Sequence, residues 1–254
     1  MHIGALIIGD EILSGKRRDK HQAFLTGALA QRGMELAWVR IVGDDPDLLS
    51  RSFRETLSGN DLVLSFGGIG ATPDDRTRQC LAAAAGVEIS RHPEAVAILE
   101  TRFGPDAYPN RIRMAELPQG SRLIPNPVNQ VPGFSLGHHH CVPGFPSMAW
   151  PMVEWVLDTH YPQLQGQVPR IQRLWQLKGT HESELIPMME ELLTRFPGVR
   201  LSSLPSTTKR QEIELGLSGI EEPMEAAARW LEAFLEEQGV AWETREHSGT
   251  DELP

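Results

Sequence analysis

The sequence predicts a mostly parallel, doubly wound α/β sheet followed by a smaller α+β module, on three observations. Short unbroken apolar runs alternate with amphipathic runs from residue 3 onward, the pattern of strands covered on both faces by helices. The alternation gives way over 104–151 to a stretch rich in Pro, Gly and Asn. Past a linker at Leu164–Pro169, a second and differently ordered set of strands and helices begins. A chain of 254 residues, 40% hydrophobic and 23% charged, has the material for two cores, and the reading divides it into 1–165 and 166–254.

Each element has its own signal. Ile3–Ile8 is apolar without interruption and predicts a buried first strand. Over 21–32, Phe24, Leu25, Ala28 and Leu29 recur on one helical stripe, and Gly33 supplies the stop. Leu36–Val42 is a second strand. Asp45 caps a helix that has Pro46 at its first position and runs to about Leu57. Leu62–Phe66 is a third strand running straight into a glycine-rich loop, with a helix expected from Pro73 to Ala85. Residues 104–151 are expected to form long loops and edge strands crowding one end of the sheet. The second module reads as strand Ile171–Leu177, helix Glu182–Phe196, strands Val199–Leu204 and Glu212–Leu217, then helix Pro223–Gln238. That is a split βαβ order. From Glu246 onward the chain is polar and reads as a frayed tail.

Charge and cysteine content exclude several function classes. The net charge is −10, and residues 166–254 hold 9 Lys and Arg against 16 Asp and Glu. Such a surface repels phosphate backbones, so no nucleic-acid partner is expected. A small phosphate ligand stays open, because backbone N–H groups can make a pocket locally positive. Cys80 and Cys141 are too few for a disulfide framework, and no apolar run is long enough to cross a membrane. The N-terminus lacks a basic start and a cleavage site. A cytoplasmic protein with no membrane partner is expected.

The strongest local motif is Gly67-Gly68-Ile69-Gly70-Ala71-Thr72-Pro73-Asp74-Asp75, directly after a strand. Glycines admit close backbone approach, and a following helix N-terminus offers unpaired N–H groups to an anion. In an open parallel sheet, ligands bind beyond the carboxyl ends of the strands. Gly67, Gly68, Gly70 and Thr72 are therefore candidate ligand contacts. The structural alternative is a tight turn with Thr72 as cap, Pro73 at the first position and Asp75 closing a capping box. Two adjacent carboxylates beside a phosphate repel it unless a cation intervenes, so Asp74 and Asp75 are candidate ligands for Mg²⁺. Asp10 and Glu11, bracketed by Gly9 and Gly15 at the end of the first strand, face the same rim; a polar turn is the alternative. Gly144 and Ser147, in Val142-Pro143-Gly144-Phe145-Pro146-Ser147, form a second possible anion turn at a helix start. His138-His139-His140-Cys141 has no zinc-ligand spacing, and in a strand its side chains alternate between faces.

Taken in order, these motifs resemble the molybdopterin-binding fold family, and most closely its CinA-type branch. The matching residues are Ile8-Gly9-Asp10-Glu11-Ile12-Leu13 with Gly15, Val42-Gly43-Asp44, the Gly67–Asp75 run, Asn110-Arg111, Leu117-Pro118, Asn126-Pro127, Pro132-Gly133-Phe134 and Pro143–Ser147, over about residues 1–160. Residues 170–245 resemble the small KH-like domain that follows in CinA proteins. The deamidase domain that ends full-length members has no counterpart here, so that activity is not expected. The resemblance implies either a metal-dependent pyrophosphatase acting on an ADP-ribose-like nucleotide, or a protein that binds or adenylylates molybdopterin. In the pyrophosphatase, Asp74, Asp75, Asp10 and Glu11 would be the catalytic carboxylates around Mg²⁺. A third reading is a non-catalytic ligand-binding or assembly protein. It draws support from Met148, which stands where the CinA pattern carries glutamate. Asn129-Gln130 replaces Gly-Thr, and His21 replaces an asparagine. The basic run Lys16-Arg17-Arg18 lies in the same first loop and would add phosphate affinity. The KH-like module lacks a GXXG loop, Gly179-Thr180-His181-Glu182 standing there instead, so its expected task is packing in a homo-oligomer.

Overall fold

In the computed structural model, which describes residues 1–166, 170–206 and 211–245, the chain forms two compact units, Met1–Gln165 and Gly166–Pro254. The first runs β1 (Ile3–Ile8), α1 (Asp10–Leu13), α2 (His21–Ala30), β2 (Leu36–Val42), α3 (Pro46–Ser58), β3 (Leu62–Phe66), α4 (Thr77–Ala85), β4 (Ile89–Arg91), α5 (Pro93–Phe103), β5 (Glu116–Pro118), β6 (Arg122–Ile124), β7 (Gly133–Leu136), β8 (His139–Val142) and α6 (Pro146–His160). The six-stranded sheet has the order β2-β1-β3-β8-β7-β6. Its first four strands are parallel; β7 and β6 add antiparallel pairs at one edge.

β1 is buried at every position because both sheet faces are covered. Ile3, Ala5 and Ile7 enter a core with Leu25 and Leu29 of α2 and Met152, Val153 and Val156 of α6. Leu6 and Ile8 enter another with Leu49 and Phe53 of α3, Leu81 of α4 and Leu99 of α5. A side chain buried in this way contributes roughly 1.5–3 kcal/mol, so an apolar run with no alternation is what this position selects. The caps behave as their residues dictate. The Asp45 side chain accepts from the Asp47 and Leu48 amides, with Pro46 at the first helical position.

The 104–151 stretch is more ordered than expected: β5 pairs with β4, and β6, β7 and β8 form the antiparallel margin of the sheet. These strands are three or four residues long, too short for a period of two to show in a sequence.

The second unit runs β9 (Arg170–Lys178), α7 (Glu182–Arg195), β10 (Arg200–Pro205), β11 (Glu212–Ile220), α8 (Glu221–Glu237) and β12 (Ala241–Arg245). Its antiparallel sheet has the order β10-β11-β9-β12, a split βαβ arrangement. Leu185, Met188 and Leu192 of α7 and Met224, Leu231 and Leu235 of α8 pack on Trp175, Leu177, Leu215 and Leu217. β12 has no signal in the sequence, because only Trp242 of its five residues packs on the core. Linker residues 167–169 and the expected tail from Glu246 lie outside the described residues.

Both cores of the first unit close among residues 3–164, and that of the second among 171–242. We expect a fragment ending at Gln165 to unfold cooperatively in urea, followed by circular dichroism. A fragment with no transition would show that the first unit needs the rest of the chain.

Candidate functional site

Strand register assembles one rim. Ile8 pairs with Val42, Ile7 with Phe66, and Phe66 with Val142. The segments after these strand ends, beginning at Gly9, Gly43, Gly67 and Pro143, therefore emerge side by side at the carboxyl edge of the sheet. The Asp10 amide donates to the Asp44 carboxylate at 3.1 Å, and the Asp44 amide donates back to Asp10 at 3.2 Å. A Cβ at Gly144 would lie 3.4 Å from the Gly67 Cα, so the two glycine turns are in contact.

A cavity of about 520 Å³ opens on this rim. One part of its lining is polar: Glu11, Arg17, Asp44, Thr72, Asp74 and Asp75. Another is apolar, made by Ile69, Phe103, Met114, Val131, Phe145 and Met148. Gly67, Gly68, Gly70 and Gly144 also line it. Of the sequence candidates, Asp10 and Ser147 lie outside the lining, Asp10 being turned to Asp44 and Ser147 sitting in the first turn of α6.

The glycine loop is packed more tightly on itself than its sequence suggested. At Gly67, φ is 103° and a Cβ would run into the Ile8 carbonyl; at Gly68, φ is 68° and a Cβ would strike the Thr77 hydroxyl. The glycines are thus required by the protein's own backbone, whatever the cavity holds. The helix expected from Pro73 begins at Thr77, because the Thr77 amide donates to the Gly68 carbonyl at 3.0 Å and its hydroxyl to Gly67 at 2.9 Å. The chain between folds into a turn, in which the Asp75 carboxylate accepts from the Thr72 amide at 2.9 Å and from the Thr72 hydroxyl. Among the described residues, the amides of Gly68, Ile69 and Gly70 meet no protein acceptor. All three of these residues line the cavity.

Electrostatics divide the rim carboxylates: hydrogen bonding, first from Thr72, lowers the exposed Asp74 carboxyl, while Asp44 is shifted the other way. Burial first, then repulsion from Asp10, Glu11 and Asp74, pushes the Asp44 carboxyl above its ordinary range, although the Asp10 amide partly offsets this. Among the described residues no group of three or more His, Cys, Asp or Glu side chains is arranged to hold a metal ion. Asp75 gives its Oδ2 to Thr72, and Met148 offers no charge. The Asn129 side-chain Nδ2 donates to the Met148 sulfur at 3.0 Å, so the two departures from the CinA pattern are neighbours on one wall. His21, the third, is buried; its ring stacks on Phe66 at 4.2 Å and its Nε2 donates to the Gly144 carbonyl at 3.1 Å. Burial lowers its pKa.

The triple histidine is a structural network. His139 Nε2 shares a hydrogen bond with Thr56 at 2.8 Å; His140 is held between Ser135 at 2.8 Å and the Tyr161 hydroxyl at 2.7 Å. The alternation expected of a strand places His139 against α3 and His138 and His140 against Tyr161.

Phe103 and Met114 carry no motif and reach the cavity only through the fold. Asp44 and Arg17 stood in recognisable segments, but nothing local separated them from solvated turn residues.

A doubly wound sheet with a ligand-sized cavity over two glycine turns at its carboxyl edge defines the class. The chain belongs to the family described as "Probable molybdopterin binding domain", which matches residues 4–165. Within it, this is a CinA-type protein. It is 34% identical over 202 residues to a CinA-like protein of Anaeromyxobacter sp. (strain K), covering 75% of this chain and 49% of that one. A protein of Caldivirga maquilingensis is 30% identical over 237 residues, covering 87% of this chain and 90% of its own. The crystal structure of CinA, of unknown function, from Thermoplasma acidophilum superposes with a TM-score of 0.57 at 30% identity, over 62% of this chain and 96% of that chain. The chain spans about half the length of the CinA-like relatives it matches.

Proposed function

We propose that the first unit binds an anionic, phosphate-bearing pterin of the molybdopterin class in the cavity over the glycine turns. The observation that carries this reading is the set of three unpartnered amides at Gly68, Ile69 and Gly70, residues that line one cavity together with an apolar wall. Free N–H groups suit phosphate oxygens, and Phe103, Phe145 and Met148 suit the face of a flat heterocycle. Gly144 and the polar residue Thr72 border the same floor. His21 keeps the Gly144 carbonyl turned toward itself, which leaves that turn free of one repelling oxygen.

A second reading, metal-dependent hydrolysis of an ADP-ribose-like nucleotide, is favoured by the crowding of Asp10, Glu11, Asp44 and Asp74, which a cation would relieve. Mg²⁺ needs only one or two carboxylates when phosphates supply the rest, and Asp74 with Asp44 would be that pair. The ion would lower the pKa of an attacking water. Either reading is of a small-molecule site in a protein without a nucleic-acid partner. In the second unit, Glu184 accepts from the His181 amide and the Thr180 hydroxyl, which puts a carboxylate in the turn that stands in place of a GXXG loop. No helix among the described residues is long and apolar enough to cross a membrane.

One experiment separates the readings. Pterin released from the purified protein is read by fluorescence, and ADP-ribose turnover is followed with and without Mg²⁺ in wild type and Asp74→Asn. The pterin reading expects bound pterin, no turnover, and pterin affinity in Asp74→Asn equal to or above wild type because a repelling charge is gone. Mg²⁺-dependent turnover that falls tenfold or more in Asp74→Asn would replace it with the hydrolase reading.

A further inference from the structure

We propose that Arg78, which does not line the cavity, is the positioning residue that gives the glycine loop its affinity for an anion, by holding one peptide and placing a buried positive charge behind it. This rests on the anion-binding reading above.

Arg78 lies in the first turn of α4 and is 2% exposed. One terminal nitrogen donates to the Gly70 carbonyl and the other to the Arg113 carbonyl, while Nε is buried with no partner. Among the described residues it forms no ion pair. The carboxylates that act on it, Asp75 and Glu116, do so through space without an ion pair, and Asp75 accepts from Thr72 on one oxygen. A guanidinium does not shed its proton, and burying one without a paired carboxylate is costly. Such a charge is stable where carbonyls partly satisfy it and an anion arriving nearby completes it.

Its contact with Gly70 also sets direction. In a trans peptide the C=O and the next N–H point to opposite sides. A Gly70 carbonyl held by Arg78 therefore turns the Ala71 amide away from Arg78, and that amide meets no protein acceptor among the described residues. One buried side chain thus withdraws an oxygen from the loop, leaves the Ala71 amide unpaired between lining residues Gly70 and Thr72, and adds a positive charge behind a rim otherwise rich in carboxylates.

The test uses the full chain, inorganic pyrophosphate as probe, and two variants. Arg78→Lys keeps the charge and loses the fork; Arg78→Gln keeps a donor and loses the charge. Affinity is read by calorimetry across a salt series, beside melting curves without probe. The expected result is a loss of ten- to a hundredfold in Arg78→Gln with a shallower salt dependence, against about threefold or less in Arg78→Lys with the wild-type salt slope. Equal losses in both variants, or wild-type affinity in Arg78→Gln, would show a plain structural clip and overturn the proposal. Should Arg78→Gln not fold, a loss beyond tenfold in Arg78→Lys overturns it alone. If wild type itself shows no pyrophosphate binding, the anion-site reading falls, and this proposal with it.

Discussion

Acidifying the protein from pH 6.5 to pH 5 is expected to remove about 3 kcal/mol of stability through two buried histidines. Burial lowers His139 to about 4, with His138 adding repulsion, and lowers His140 to about 3, where His160, His139, His138 and Arg122 add to the effect of burial. Both are neutral in the folded protein, whereas in the unfolded chain each takes up a proton near 6.5. Between these values the unfolded state binds more protons, so stability is full above pH 6.5 and falls as pH drops, levelling off below the folded values. Two protons give a slope of about 2.7 kcal/mol per pH unit. Asp44 acts in the opposite sense, since its folded pKa is raised and protonation relieves it, but this enters closer to the carboxylate range. Urea unfolding at half-unit steps from pH 7.5 to 5 measures the slope. His140→Gln, which can still bond Ser135 and Tyr161, should roughly halve it. A wild-type stability that is flat over this window would mean the histidines are not held neutral.

Gly67→Ala is expected to destabilise the first unit by about 3 kcal/mol or more. Two costs combine. An L-residue at a φ of 103° is strained by about 1–3 kcal/mol. The added methyl also meets the Ile8 carbonyl, which is backbone at the end of a central strand and cannot swing aside as a side chain would. Gly67 is anchored on its other sides too, its amide donating to Val142 at 3.0 Å and its carbonyl accepting from Thr77. Gly15→Ala is the control: φ there is 71°, but nothing lies within 4 Å of the added carbon, so only strain of about 1 kcal/mol is expected. Denaturant midpoints of the two variants give the comparison. Equal losses would mean that backbone strain alone, and not the close approach to Ile8, selects glycine at the loop.

The sequence by itself determined the layered α/β class, the three parallel strands of the first half and the helices between them. Ile3–Ile8, Leu62–Phe66 and the capped helix from Pro46 are legible because burial on both faces, or on one stripe, constrains every residue of a contiguous segment. It also determined the family, through motifs whose order survives in one dimension. Tertiary structure decided what those motifs do. Asp10 meets Asp44 across 34 residues because β1 and β2 pair in one register. Asn129 meets Met148, and Phe103 and Met114 reach the cavity, only once α5 and the short edge strands are packed. The three glycines that read as room for a ligand prove to be room for Ile8, Thr77 and Asp75. Periodicity records which side of a segment is buried; it carries no record of which other segment does the burying, and a binding site is made of the second kind of information.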